Sequence, residues 1–381
     1  MAGVNPGSLR LALAALATLL FLPTVLAQAP AGSRQSERSR PAGHQTKGVR
    51  PAPPVAGPAY ASREDVMQAA NDIAQRRDLD PQWVRASLAQ ARLIPLAVKL
   101  IAPPPVGTPK NWRLYRSRFI EPVRIRAGVQ FWQENRTTLE RAQAEYGVPP
   151  EIIVGIIGVE TIFGRQVGDF RVLDVLTTLA FDFPAVHPRA VERAAFFKAE
   201  LEQFLSHSSR SGTDPTLARG SYAGAMGLPQ FMPSSSVRHA IDFDGDGRVD
   251  LFHSAADAIG SVANYFKAFN WQPGMPTHYA VQFDGARLDM EALLLPDILP
   301  SFGVLGLAAR GAIVDSAGQT HTGPLALVEL QNGDAAPSYV IGTENFYAIT
   351  RYNWSSYYAM AVIELGQAVA AALATAAPGS R

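Results

Sequence analysis

At 381 residues the chain has room for about two to three domains, and 47% hydrophobic with 18% charged residues is the balance of a protein with a full core, which excludes general disorder. It has no cysteine, which excludes disulfides, thiolate metal sites and a lipid attached through cysteine. Of the net charge of +1, Arg10 supplies one positive charge and residues 28–62 supply four, so residues 63–381 carry −4; a mildly acidic body argues against a nucleic-acid partner.

Residues 11–22 are uncharged and follow Arg10, and Val25-Leu26-Ala27 places small residues at cleavage spacing. This pattern is that of a secretory signal peptide cut after Ala27. The competing reading is an uncleaved inner-membrane anchor, against which stand Pro23 and the short apolar core. Residues 28–62, rich in Pro, Ala, Gly, Ser and Arg, read as a disordered linker whose charge could touch an anionic envelope surface.

From Ser62 onward helical signals dominate. Ser62-Arg63-Glu64-Asp65 resembles a capping box ahead of Val66, Met67, Ala70, Ile73 and Ala74. Asp80-Pro81 opens the next helix by cap-then-proline logic. Three prolines at 103–105 break the chain, residues 112–128 mix aromatic and basic side chains, and residues 129–146 form a helix stopped by Gly147.

Pro149-Pro150-Glu151 then starts the most apolar helix, which Gly164 would stop. Its face of core residues carries Glu160, four after Ile156 and three after Ile157. A carboxylate there is costly to bury as an ion, so its pKa should rise, and a carboxylic acid holding its proton at neutral pH is what a general acid needs. The alternative is a Glu paired with a buried Arg that serves structure only.

Residues 172–179 and 189–205 read as helices, and residues 208–216 as a polar loop. The glycine- and proline-rich stretch 220–234 suits backbone lying close to a ligand, with Ser221 and Gln230 as hydrogen-bonding groups, or else a tight buried loop. Asp242-Phe243-Asp244-Gly245-Asp246-Gly247-Arg248-Val249-Asp250 has the pattern of a calcium loop. Oxygens fall at positions 1, 3, 5 and 9, Gly247 makes the sharp turn, and Arg248 can offer its carbonyl. The bidentate Glu of position 12 is replaced by His253, and the nearest later carboxylate is Asp257. An Asp/Gly turn without metal is the alternative; zinc is disfavoured because no Cys or paired His is near. After a helix over 255–269, short strand-like runs at 279–283, 326–330 and 338–341 suggest a small inserted sheet, and a last helix spans 359–372.

Five of these segments, in this order, resemble the lytic murein transglycosylase B family: Gly155-Ile156-Ile157-Gly158-Val159-Glu160-Thr161, residues 220–235, residues 242–250, Ile259-Gly260-Ser261-Val262-Ala263-Asn264-Tyr265-Phe266, and Asn345-Phe346-Tyr347-Ala348-Ile349-Thr350-Arg351-Tyr352-Asn353. The likeness covers residues 63–372. It implies a mainly α (α+β) fold, with a lysozyme-like helical core, an N-terminal helical domain and a small inserted β domain. The divisions expected are a signal peptide at 1–27, a linker at 28–62, a helical domain at 63–146, the catalytic core at 147–275, the β domain at 276–345 and a helical return at 346–381.

The resemblance also implies an activity. The family cleaves the MurNAc-β-1,4-GlcNAc bond of peptidoglycan without water and leaves a 1,6-anhydro ring on muramic acid. Glu160 would be the single acid/base, protonating the leaving oxygen and then taking the proton of the C6 hydroxyl; a single carboxylate suffices where most glycosidases need two. Tyr115, Ser221, Gln230, Phe231, Tyr265, Tyr352, Asn353 and Tyr358 match groups of the sugar cleft. Arg193 matches one arginine of a carboxylate-binding pair, but its neighbour here is Glu192 and residues 185–191 are additional. Asp242, Asp244, Asp246, Arg248, Asp250 and Asp257 would hold a structural Ca²⁺, and the chemistry itself would need no cofactor. The partners implied are peptidoglycan strands and possible wall enzymes, in the periplasm, with no lipid anchor because there is no cysteine. The readings that compete are a muramidase using water, a non-catalytic peptidoglycan-binding scaffold and a calcium sensor.

Overall fold

The computed structural model describes residues 55–105 and 107–376; the signal-peptide reading and most of the linker lie outside them. The last residues assigned to the linker are held to the body. Gly57 N donates to Leu93 O (2.7 Å) and Tyr60 N to Ala91 O (3.0 Å). Tyr60 is 2% exposed, and its hydroxyl donates to Asp182 Oδ2 (2.6 Å). This anchoring also undoes the expected capping box. Ser62 ends a 3₁₀ turn, Tyr60–Ser62. Arg63 stands at the cap position of Glu64–Arg77 without a side-chain cap bond, and its guanidinium pairs with Asp65 and Asp182. Asp80 does cap Pro81–Ala89, accepting from Gln82 N (2.8 Å).

The helix expected over 129–146 is two helices, Pro122–Glu134 and Arg136–Tyr146. The break is at Asn135, whose side chain donates back to Phe131 O (2.8 Å). Ala190–Ser211 runs six residues beyond its expected end, to Gly212 in the left-handed conformation.

The central helix, Pro150–Thr161, is buried over almost its whole length. Each fully buried Ile on it (Ile153, Ile156, Ile157) contributes about 2 kcal/mol of hydrophobic stabilisation. Its main partner is the C-terminal helix, Ser356–Ala376. Their backbones touch: a Cβ on Gly155 would lie 2.3 Å from Val362 O, and one on Gly366 would lie 2.0 Å from Glu151 O. The window Ser356–Thr375 is long and apolar enough to cross a membrane, but half of it is buried in the protein. Its buried residues, Tyr358 to Val369 among them, belong to the largest hydrophobic core.

The inserted β part holds a three-stranded antiparallel sheet of His278–Tyr279, Ala335–Gly342 and Ala326–Asn332, in that order, and a two-stranded pair, Val281–Phe283 with Ala312–Val314. The run expected as one strand at 279–283 therefore serves two sheets. It switches at Ala280, whose N–H is taken by Asp315 Oδ2 (3.0 Å). Short helices at Met290–Leu294 and Val304–Ala309 were not legible in the sequence.

Three hydrophobic cores result. One joins the helices before residue 102 to residues 172–205 and the loop that follows. The largest gathers residues 112–159, 228–271 and the C-terminal helix. The third lies within the β part. The boundary expected at 146 is thus not where the cores part: residues 112–146 pack with the central helix, because helices 172–181 and 190–211 return to the N-terminal ones.

Candidate active site

Glu160 is the last residue but one of the central helix. The chain then takes three successive left-handed residues, Ile162 (φ 50°), Phe163 (φ 56°) and Gly164 (φ 84°). For Ile and Phe this backbone is costly, and such strain collects at functional sites. The helix therefore ends before Gly164, the expected stop. Thr161 holds the turn: its hydroxyl donates to Leu228 O (3.0 Å) and accepts from Gly164 N (3.0 Å). The glycine-rich loop is thereby tied to the residue beside Glu160.

The Glu160 carboxyl accepts one hydrogen bond, from the Tyr358 hydroxyl to Oε1 (2.6 Å). Burial pushes its pKa up to about 7, against the smaller lowering by that bond. Among the described residues no Arg or Lys pairs with it. No second carboxylate is among the groups that shift it. Tyr358 is fully buried, and burial together with Glu160 keeps its phenol protonated. Its hydroxyl donates to Glu160 Oε1.

Two cavities lie among the residues near this point, though Glu160 itself lines neither. The larger, about 690 Å³, is lined by Tyr115 and Asn353. The smaller, about 300 Å³, is lined by Gln230, Phe231, Tyr265 and Tyr352. Trp354 borders both. The phenols of Tyr115, in the larger lining, and Tyr352, in the smaller, are raised first by burial and then by the Glu160 charge, so the acid lies near both residues while lining neither cavity.

The aromatic residues expected to contact sugar are mostly the cleft's foundation. Phe231, Tyr265 and Tyr352 are buried and pack on one another with ring centres 4.8–5.8 Å apart. Tyr265 donates to Arg351 O (2.6 Å) and Tyr352 to Pro229 O (2.6 Å). Ser221 shapes its own loop by accepting from Ala223 N and Ala225 N. Gln230, left-handed at φ 52°, donates its amide to Val167 O and Gly227 O. Asn353 is 5% exposed, and its Oδ1 has no partner.

Arg193 is not brought into the cleft. It is 6% exposed, lies over the rings of Phe183, Phe196 and Phe197, and lines neither cavity. Burial, with Arg189 nearby, lowers its pKa to about 10. Trp354 escaped the sequence reading of the site, although it directly follows the Tyr352-Asn353 pair.

Oxygen ligands converge in the acidic loop, though not all those expected. Asp242, Asp244 and Asp257 each place a carboxylate oxygen within 4.8 Å of the others. Asp257, 1% exposed, comes from the first turn of Ala255–Ala268 and also accepts from Phe243 N and Asp250 N. The trio leaves out Asp246 and Asp250. Asp246 accepts from Arg248 N. Asp250 turns to the loop's exit, where it accepts from Phe252 N and His253 N and meets the His253 ring. A set of hard carboxylate oxygens around two glycine turns (Gly245 φ 78°, Gly247 φ 90°) suits Ca²⁺.

The Transglycosylase SLT domain family matches residues 62–367. The membrane-bound lytic murein transglycosylase B of Escherichia coli K12 is 42% identical over 322 residues, which are 82% of this chain and 84% of that protein. The E. coli lytic transglycosylase SLT35 in complex with bulgecin A superimposes with a TM-score of 0.73 at 40% identity, over 84% of this chain and 96% of that one. The same enzyme in complex with calcium gives 0.72 at 39%, with the same coverage. SltB3 of Pseudomonas aeruginosa in complex with NAG-anhNAM-pentapeptide gives 0.65 at 28% identity, over 81% of this chain and 79% of that one.

Proposed function

This chain belongs to the transglycosylase SLT domain family and is a peptidoglycan lytic transglycosylase; on that premise we propose that Glu160 is its single acid/base catalyst. The observation that carries the reading is a buried carboxyl held by a single phenol, with burial pushing its pKa up to about 7. Tyr358 occupies Oε1, which leaves Oε2 to carry the proton. That proton goes to the glycosidic oxygen as its bond to C1 of MurNAc breaks. Glu160, now a carboxylate, takes the proton of the C6 hydroxyl as O6 closes on C1. The carboxyl is restored, and the product is the 1,6-anhydro sugar. A single carboxylate is enough because both steps use the same atom pair in opposite directions.

Calcium is structural in this reading. Asp242, Asp244 and Asp257 would hold it, and no step of the reaction passes through it. Bound there, it would pin the loop 242–257 against the segment that carries Gln230; the two are already joined where Leu228 N donates to Leu251 O (2.8 Å). The protein would work in the periplasm, on glycan strands of the wall; without a cysteine it cannot carry a lipid at that residue type.

The test is release of soluble fragments from purified sacculi by wild type and Glu160→Gln. The variant is expected to lose about a thousandfold or more of the rate. Activity within tenfold of wild type would remove Glu160 from the chemistry.

A further inference from the structure

The larger cavity extends beyond the residues around Glu160 to the inserted β part. One wall is the helix Trp112–Ser117, with Tyr115; the other is the strand Ala326–Asn332, with Glu329 and Gln331. Alternation along a strand puts those two residues on one face. The wall is fixed without any ligand: Tyr357 donates to Gln331 O (3.0 Å) and Gly333 N to Lys110 O (2.9 Å).

We propose that this arm holds the glycan strand beyond the sugars next to the cleaved bond, and that Glu329 and Gln331 bind it there. The proposal rests on the glycan-cleaving function and extends it to a part of the fold with no assigned role. The chemistry of the lining selects the ligand. Lys110 and Arg118 are balanced by Asp297 and Glu329, so the arm has no net charge and suits a glycan backbone, with at most one lactyl carboxylate per disaccharide, better than a multiply charged peptide. Tyr115, Trp354 and Tyr357 supply ring faces for sugar C–H surfaces. The buried Asn353 Oδ1, without a partner, calls for a donor such as an acetamide N–H or a hydroxyl.

Glu329 has no cationic partner among the described residues. Its oxygens accept from the Tyr339 hydroxyl (2.9 Å) and the Gln331 amide (3.1 Å), which orient the carboxylate and leave lone pairs for sugar hydroxyls. Gln331 is exposed and keeps its amide oxygen open.

The experiment measures binding of peptide-free glycan strands, sorted by length, to the Glu160→Gln protein with and without Glu329→Ala and Gln331→Ala. Long strands are expected to bind more tightly than tetrasaccharides, and the double change should lower that ratio of affinities about tenfold. Glu329→Gln, which keeps an acceptor, should restore part of it. An unchanged ratio, or equal affinity for long and short strands in the unaltered protein, overturns the proposal. Failure of the catalytic reading shows separately, as wild type that leaves sacculi uncut.

Discussion

Tyr358 is a hydrogen-bond donor to Glu160 whose effect has a definite sign. Its hydrogen bond lowers the acid's pKa, while burial raises it to about 7. Tyr358→Phe removes the lowering, so the acid should hold its proton to higher pH. The alkaline fall in kcat/KM is expected near pH 7 in wild type and about one pH unit higher in the variant. A fall at unchanged or lower pH would mean the bond does not govern the catalytic proton.

Glu160 also costs stability. Folding raises its pKa from 4.5 to about 7, so the folded protein grips the proton more tightly than the unfolded chain. Nothing is lost below pH 4.5; stability then declines as pH rises towards 7, by up to about 3 kcal/mol. Glu160→Gln should therefore melt higher than wild type at pH 8 and level with it at pH 4. A variant no more stable at pH 8 would contradict the burial argument.

The buried carboxyl proposed as the acid was legible in the sequence because a carboxylate among isoleucines is conspicuous. Its partner was not, since 198 positions separate Tyr358 from Glu160. Only the crossing of two glycine-notched helices brings them together.

At the scale of elements, local bonds were readable and long-range ones were not. Asp80 caps its helix through a residue two positions on, so its signal is complete within four residues. Ser62 carries an equally good local signal, but the Tyr60–Ser62 turn is drawn to Asp182 and to the backbone at 91–93, and the cap never forms. Residues 279–283 alternate like one strand yet pair with two partners that the sequence places far downstream.

The acidic loop shows both sides. Its aspartates and glycines announce a cation site, while the missing position-12 Glu left the exit open. The fold answers with Asp257, at the start of the following helix, and releases Asp250 to build the turn at 252–253. Calcium is expected to raise the melting temperature of the wild-type protein, and by less in Asp244→Asn, because ligand binding to the folded state alone stabilises it. Equal melting with calcium and with a chelator would rule out the ion.

The described residues form three cores threaded by one chain. The N-terminal helices share a core with residues 172–205, the β part has its own, and the central and C-terminal helices occupy the largest. Glu160 stands on a helix of the largest core and is bonded to Tyr358 of that same core, while the β part walls the larger cavity. The order of segments along the chain carried the fold class, but it could not carry this partition, which depends on which helices return to which.

The most direct test of the central claim is mass spectrometry of the fragments released from sacculi by the wild-type protein. Fragments ending in 1,6-anhydro-MurNAc are predicted, because the proton taken by Glu160 comes from the sugar's own C6 hydroxyl. Fragments with reducing MurNAc ends would show that water is the nucleophile, and would contradict the intramolecular closure assigned to this site.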